Sequence, residues 1–250
     1  MQRYVKAVGL RRVVSFVRRP LERQVSEYRH CKQHGEKEQP PLHDWLRQPG
    51  LVRKQIQLLN ADNIPVEAFG FIGITERYDE SLALLNATYN IAVRSLQLNV
   101  RDKREAFDFS EQLADKELTA MNEPERHLYA RALAFFEQRV RMAAKCKPFA
   151  HGALDGVDSD GVLRGWAWWA RGDKRVVVDV SVNGNLQGRV NATLLHSLAQ
   201  WNAPRRGRVG WAIQLPLGLR AGTTVTAKVA ATGQELGQLQ LQGAGQRPSA

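Results

Sequence analysis

The residues best suited to chemistry form a basic cluster at the start of a predicted helix. Arg18 follows a short run of β-branched apolar residues, and Pro20 suits the first position of a helix. A helix start offers free backbone N–H groups and partial positive charge, and a guanidinium grips phosphate through paired hydrogen bonds. Ser26, two helical turns later, can add a hydroxyl donor. Arg18 and Ser26 are therefore candidate phosphate ligands; the alternative is that Arg18 and Arg23 only solvate the helix end.

The elements that must position this cluster alternate between strands and helices. Residues 12–17 and 69–74 are short apolar runs that predict buried strands, and a helical period of apolar residues follows each. Residues 31–50 are polar and rich in proline, which favours a loop. Further helices are expected over residues 52–60, 110–118 and 125–145. Strands alternating with helices predict an α/β fold with parallel strand pairs.

The pattern changes near residue 150, where apolar residues begin to alternate with polar ones. Asn183–Gly184 gives the two-residue hairpin signal, and short strands with glycine-rich turns predict an all-β sandwich. Strands are expected over residues 162–168, 176–182, 209–215, 223–230 and 236–241. The predicted organisation is an α/β domain over 1–147, a β-sandwich over 152–242 and a disordered tail over 243–250.

The charge of the chain favours an anionic ligand. The net charge is +11, and residues 1–32 carry nine basic and two acidic side chains. Such a cluster attracts nucleic acid, anionic lipid, sulfated sugar or nucleotide phosphate. Nucleic acid is the least favoured of these, because the aromatic residues nearby, Tyr4, Phe16 and Tyr28, are few and fall at expected core positions.

The sequence also bears on the cellular location of the protein and on whether it binds a metal. No run of eighteen apolar residues predicts a transmembrane helix, and the N-terminus does not have the pattern of a signal peptide. Two distant cysteines do not predict a disulfide scaffold, so a reducing, cytoplasmic location is expected. Cys31 lies near His30 and His34, but no second ligand pair follows at zinc spacing, so no metal is expected.

Residues 16–28 resemble the 3′-phosphate-binding motif of carbohydrate sulfotransferases, most closely the heparan-sulfate 2-O-sulfotransferase group and its bacterial relatives. Residues 71–85 and 122–136 are similar to two later segments of that family, so the resemblance covers residues 10–147. It implies that Arg18 and Ser26 hold the 3′-phosphate of 3′-phosphoadenosine 5′-phosphosulfate, the sulfuryl donor. Without it, Thr75 and Glu76 predict a helix cap and a first-turn acid, and capping is expected as their main role.

The resemblance implies sulfuryl transfer to a carbohydrate hydroxyl, with nucleotide donor and carbohydrate acceptor as partners. It also places Arg101 and Lys103 in a loop that closes over the nucleotide; a solvated charge run is the alternative. The family begins with a strand, a lysine-bearing phosphosulfate loop and a helix, and its catalytic base precedes the motif. None of these lies in the seventeen residues before Arg18. The catalytic residues are therefore unassigned, and a truncated, inactive chain is expected.

The second half resembles sandwich modules appended to bacterial glycan-modifying transferases. Its tryptophans could stack on sugars, although core positions are favoured for most of them. Asp155, Asp158 and Asp160 suggest a calcium loop or a turn, and their spacing favours the turn. The competing function for the whole chain is a non-catalytic protein that binds glycans or other polyanions.

Overall fold

The computed structural model describes residues 2–34, 39–95, 111–112 and 115–242. It combines helices with a small parallel sheet and two antiparallel sheets. The contacts divide the chain into two compact units. Unit 1 consists of residues 14–66 and 71–137, and unit 2 of residues 2–13, 67–70 and 138 to the C-terminus. These units are drawn differently from the predicted domains, whose borders stay a prediction. The predicted tail, 243–250, lies outside the described residues.

The helices of the described chain are α1 (Gln2–Val8), α2 (Pro20–His34), α3 (Leu42–Leu46), α4 (Pro49–Val52), α5 (Lys54–Leu59), α6 (Tyr78–Tyr89), α7 (Lys116–Met121) and α8 (Glu123–Ala144). The strands are β1 (Val14–Val17), β2 (Phe71–Ile74), β3 (Ala150–Val157), β4 (Val162–Trp169), β5 (Val177–Val182), β6 (Asn185–Asn191), β7 (Leu194–Leu195), β8 (Arg208–Gln214), β9 (Thr224–Val229) and β10 (Glu235–Gln240).

Unit 1 is organised around the parallel pair β1 and β2. Their register runs from Val14 opposite Phe71 to Val17 opposite Ile74. Every residue of β2 is buried. The predicted strand, turn and helix at the start of unit 1 are confirmed, and α2 begins at Pro20 as expected.

The loop predicted over residues 31–50 is wrong for much of its length. Helix α2 continues to His34, α3 lies within the segment, and α4 begins at its end. Trp45 and Leu46 of α3 are buried together with Val25, Leu51 and Leu118. The polar composition of the segment hides these few apolar residues, and their burial stabilises the short helices.

Helix α8 carries a buried apolar stripe, as its period predicts. Leu128, Ala132 and Phe136 are buried in unit 1. Ala143 was expected on the same stripe but is exposed, and Met142 is buried instead. The buried position shifts by one residue because an α-helix has 3.6 residues per turn, so a fixed spacing of three or four residues does not stay on one face over many turns.

Unit 2 contains two four-stranded antiparallel sheets around one core. Their strand orders are β10–β9–β5–β6 and β3–β4–β8–β7. Val178, Val180 and Val225 of one sheet share a hydrophobic cluster with Leu163 and Trp211 of the other. The predicted hairpin between β5 and β6 is confirmed: Asn183 and Gly184 have φ of 49° and 83°, as a type I′ turn requires.

Several elements of unit 2 escape prediction from the sequence. Strand β3 begins at Ala150, inside the expected linker, and β6 is mostly exposed and shows no apolar alternation. Helix α1 was not predicted, because Val5 is its one buried residue. Tyr4, expected in the core, is 58% exposed. These elements are set by their tertiary neighbours rather than by local pattern.

The tryptophans of unit 2 are mainly core residues, as expected. Trp166, Trp168, Trp201 and Trp211 are buried, whereas Trp169 at the end of β4 is half-buried. Alternation along β4 places Trp166 and Trp168 on one face, where their rings stack with centroids 4.6 Å apart.

The turn between β3 and β4 begins at Asp158, as predicted, whereas Asp155 lies within β3. The Asp158 carboxylate accepts hydrogen bonds from the amides of Asp160 and Val162 at 3.1 and 2.9 Å, and pairs with Arg164 at 3.0 Å. In the part of the chain that the structure describes, no three His, Cys, Asp or Glu side chains group as a metal site. Within the same residues, no helix is long and apolar enough to span a membrane.

Candidate functional site

The candidate site lies at the carboxyl ends of β1 and β2 in unit 1. Val17 and Ile74 are opposite each other in the parallel register, so the residues that follow both strands emerge at one edge. Arg18 and Arg19 follow β1, and Thr75–Arg77 follow β2 as a 3-10 turn. This edge is where α/β sheets generally bind ligands.

The backbone of Arg18 is held by a buried side chain from α5. The Arg18 amide donates to Oε1 of Gln55, and Nε2 of Gln55 donates to the Arg18 carbonyl, both at 2.9 Å. Gln55 is in turn held by Glu125 of α8, whose Oε2 accepts from Nε2 of Gln55 at 3.2 Å. Glu125 is fully buried. Two buried polar residues therefore fix the turn that presents Arg18.

The side chain of Arg18 lies along the first turn of α2. Its Nε is 4.0 Å from Oε2 of Glu22, and the side chain is 24% exposed. The amides of Leu21 and Glu22 make no hydrogen bond to other described residues. The helix start therefore combines a guanidinium with two open N–H donors, and Glu22 is one anion close to Arg18.

Ser26 lies one turn beyond Glu22 and is half-buried. Arg18, Glu22 and Ser26 are spaced by four residues, a spacing that places helical residues on one face. Convergence of Arg18 and Ser26 on one anion stays a prediction. Arg101 and Lys103, the other two candidates, lie outside the described residues.

Glu76 links the two strand ends instead of capping a helix. Its Oε1 accepts from the Arg19 amide at 2.8 Å, and its Oε2 accepts from the Tyr129 hydroxyl at 3.0 Å. Helix α6 begins at Tyr78 with Arg77 at the N-cap position and no side-chain cap. The expectation that Thr75 and Glu76 mainly cap a helix is wrong, because the parallel register brings Glu76 to the start of α2.

The environment of Tyr129 favours its protonated form. Burial, followed by the charge of Glu76 and the hydrogen bond to it, raises the pKa of Tyr129 to about 12, and Arg19 opposes this shift. The hydroxyl therefore remains a donor to Glu76 at neutral pH. The hydrogen bond to Glu22 raises the pKa of Arg19, so this cation also keeps its charge.

A second polar network lies behind the helix start. Arg23 of α2 pairs with Glu27 at 2.9 Å and lies 3.7 Å from Glu125. Gln24 donates to Oδ1 of Asn122 at 2.7 Å, and both side chains are buried. The contacts of Arg23 with Glu125 and of Gln24 with Asn122 join α2 to residues outside that helix, so they fix its rotation about its axis and the face that carries Ser26.

Sequence reasoning missed Gln55, Glu125 and the role of Tyr129. One signal was available: Glu125 precedes Leu128 and Ala132 at helical spacing, so it is a carboxylate on an otherwise apolar stripe. A charged residue at such a position is buried only when it is paired.

No protein-family model, curated protein or solved structure matches this chain. The chemistry of the site therefore rests on its own geometry. That geometry suits the binding of an anionic group at the start of α2, by one guanidinium and two backbone amides.

Proposed function

We propose that this chain is a sulfotransferase-family protein whose β1–α2 turn binds the 3′-phosphate of 3′-phosphoadenosine 5′-phosphosulfate. The observation that carries the proposal is the position of Arg18, at the carboxyl end of a parallel strand and beside the open first turn of the next helix. The resemblance of residues 16–28 to the 3′-phosphate motif supports the same assignment.

The electrostatics of the turn favour a phosphate over the carboxylate now in contact. A phosphate monoester carries more charge than Glu22 and can accept from Arg18 and from the amides of Leu21 and Glu22 together. Glu22 repels such a ligand, so binding requires the Arg18 side chain to turn from Glu22 toward the phosphate. The separation between Nε of Arg18 and Oε2 of Glu22 is 4.0 Å, longer than a hydrogen bond, so no hydrogen bond between these two atoms opposes the exchange.

In the proposed reaction, a carbohydrate hydroxyl oxygen bonds to the sulfur while the bond between sulfur and the phosphate oxygen breaks. The hydroxyl proton passes to a base, and adenosine 3′,5′-bisphosphate leaves. The residues assigned above hold only the 3′ end of this leaving nucleotide. The base and the cations around the phosphosulfate are not assigned to residues of this chain, so we expect it to bind the nucleotide without turnover.

The remaining features of the chain fit this proposal. Unit 2, with two sheets around one core, supports a β-sandwich module of the kind appended to glycan-modifying enzymes. Cys31 and Cys146 are both free thiols, which supports a cytoplasmic location.

Calorimetric titration with adenosine 3′,5′-bisphosphate tests the function. Arg18→Ala should weaken binding by about 10- to 150-fold, the equivalent of roughly 1.5–3 kcal/mol for a charged hydrogen bond. Ser26→Ala should weaken it less, because a neutral hydroxyl contributes less. Arg126→Ala is the matched control, since Arg126 pairs with Glu123 on α8, outside the candidate site.

Adenosine 5′-monophosphate, which lacks the 3′-phosphate, should bind far more weakly than the bisphosphate. Equal affinities for the two nucleotides, or unchanged affinity in Arg18→Ala, contradict the proposal. Sulfuryl transfer by the pure chain, measured with labelled donor and mixed glycan acceptors, contradicts the expectation of an inactive chain.

A second candidate, polyanion binding without catalysis, is favoured by a strained loop in unit 2. Arg205 and Arg206 have φ of 57° and 56°, a backbone region that non-glycine residues seldom adopt. Arg206 and Arg208 are exposed there. Residues held in this backbone region cost free energy, and they cluster at ligand-binding and active sites. Arg206→Ala with Arg208→Ala should weaken binding to a sulfated oligosaccharide and leave nucleotide binding unchanged; stronger binding to DNA than to the oligosaccharide contradicts this candidate.

A further inference from the structure

Unit 1 contains a small pocket between α5 and α8, apart from the turn that presents Arg18. Its volume is about 180 Å³. It is lined by Arg53, Ile56, Ala61, Asp62, Pro124, His127, Leu128 and Arg131. Four of these residues are spaced by three or four positions along α8, so that helix presents one continuous face to the pocket.

The lining has an apolar floor and a basic rim. Ile56 and Leu128 are buried at the base, whereas His127 and Arg131 are exposed. Arg53 and Arg131 carry positive charge against the single acid, Asp62. The lining residues therefore carry a net positive charge at neutral pH, and the apolar floor lowers the local dielectric, which strengthens the attraction between the arginines and an anion.

Arg53 is oriented for a ligand by its contact with Asp62. Its Nη2 donates to both carboxylate oxygens, at 2.9 and 3.1 Å. A guanidinium has five N–H donors, so Nη1 and Nε of Arg53 take no part in this contact. The side chain is 42% exposed, which leaves those donors open to a ligand.

We propose that this pocket binds one tetrahedral oxyanion, the phosphate or sulfate group of an ester or the free ion. Arg53 can offer its remaining donors to the oxygens of such a group, and Arg131 adds a second positive charge at the rim. The volume is below the roughly 300–1,000 Å³ of a site that encloses a whole small molecule. The pocket thus anchors a terminal charged group while the rest of the ligand stays outside.

This inference goes beyond the proposed nucleotide site and does not depend on it. The two sites use different residues: Arg18, Leu21 and Glu22 at the start of α2, and Arg53 and Arg131 at the pocket.

The test is amide NMR of the full chain, titrated separately with inorganic phosphate, inorganic sulfate, glucose 6-phosphate and glucosamine 6-sulfate at constant ionic strength. Saturable shifts should be confined to residues 53–62 and 124–131. Arg131→Ala and Arg53→Ala should each weaken binding about three- to tenfold, because both groups are partly exposed to solvent. Arg126→Ala removes the same charge from the same helix outside the pocket and should leave binding unchanged.

If the two sugar esters bind more tightly than the inorganic ions, the ligand is a substituted sugar. If the inorganic ions bind more tightly than the esters, the ligand is free phosphate or sulfate. Either result supports the proposal. Equal weakening by Arg126→Ala, or shifts that do not saturate with any of the four anions, overturns it. Arg18→Ala should retain the pocket binding, so the failure of one site is distinguishable from the failure of the other.

Discussion

Nη2 of Arg139 donates a hydrogen bond to Nε2 of His151 over 2.9 Å in the interior of unit 2. Nδ1 of His151 therefore carries the ring proton and donates it to the carbonyl of Glu67, also at 2.9 Å. The same guanidinium nitrogen donates to the carbonyl of Gly70 at 3.0 Å, and the group lies over the ring of Phe149 at 4.4 Å. A neutral histidine and a buried cation are thus fixed in one arrangement.

The stability of the protein should fall in mild acid because of His151. Burial, and next the charge of Arg139, lower its pKa well below the usual 6.5, with a smaller contribution from Arg11 and an opposing one from the Glu67 carbonyl. Below about pH 6.5 the unfolded chain binds a proton that the folded chain excludes. The free energy of unfolding should therefore decrease as the pH falls from 7.5 to 5.

Urea unfolding across that range measures the effect. His151→Gln removes the titrating ring but keeps an oxygen that can accept from Arg139, so it isolates this group from the other histidines. The difference in the free energy of unfolding between the unsubstituted protein and His151→Gln should become smaller or change sign as the pH falls. A difference that is constant with pH contradicts the prediction.

Glu125→Gln should destabilise unit 1 by about 1–3 kcal/mol, the cost of leaving buried polar groups unpaired. The carboxylate accepts from both the amide and the side chain of Gln55 and lies near Arg23. A glutamine turns one acceptor into a donor and removes the charge. Nucleotide binding should weaken as well, because Gln55 holds the backbone of Arg18.

Glu123→Gln is the matched control, since Glu123 is exposed and pairs only with Arg126 among the described residues. It should change the free energy of unfolding by less than about 0.5 kcal/mol. Urea unfolding and nucleotide titration of both variants give the two readouts. Equal effects of the two substitutions contradict a special role for Glu125.

Glu76→Gln should lower the pKa of Tyr129 from about 12, because Glu76 supplies both a charge and a hydrogen bond that raise it. Burial is the largest cause and remains, so the pKa should stay above the usual 10. NMR titration of ring-labelled tyrosine measures the shift. An unchanged pKa contradicts the contact between Tyr129 and Glu76.

The sequence predicts the elements that depend on neighbouring residues along the chain. It does not predict contacts between residues that lie far apart in the chain. The apolar run before Arg18 defines β1, and Pro20 with the apolar period after it defines the turn and α2. Arg18 and Ser26 follow from spacing within this one unit. Gln55 lies 37 residues from Arg18 and 70 from Glu125, and no local period links such positions. The parallel register of β1 and β2, which brings Glu76 to the start of α2, likewise cannot be predicted from one amino-acid sequence.

Limited proteolysis distinguishes the predicted domains from the compact units of the structure. The sequence predicts cleavage between Cys146 and Leu154, the border of folding domains 1–147 and 152–242. The structure keeps residues 138–250 in one unit and buries Phe149 and Ala150 at the start of β3. Cleavage between Cys146 and Leu154 that releases two stable fragments supports the predicted domains, and a resistant core that spans this segment contradicts them.

The placement of the tryptophans gives the two units separate optical signals. Five of the six lie in unit 2, and Trp45 is the one in unit 1. Fluorescence excited in the indole band therefore reports almost entirely on unit 2. The rings of Trp166 and Trp168, stacked with an interplanar angle of 26°, should couple their transitions and give unit 2 a strong near-ultraviolet circular dichroism band. Substitution of Trp45 with phenylalanine removes the indole of unit 1, so the fluorescence of the variant reports on the unfolding of unit 2 alone, and its difference from the unsubstituted protein reports on unit 1.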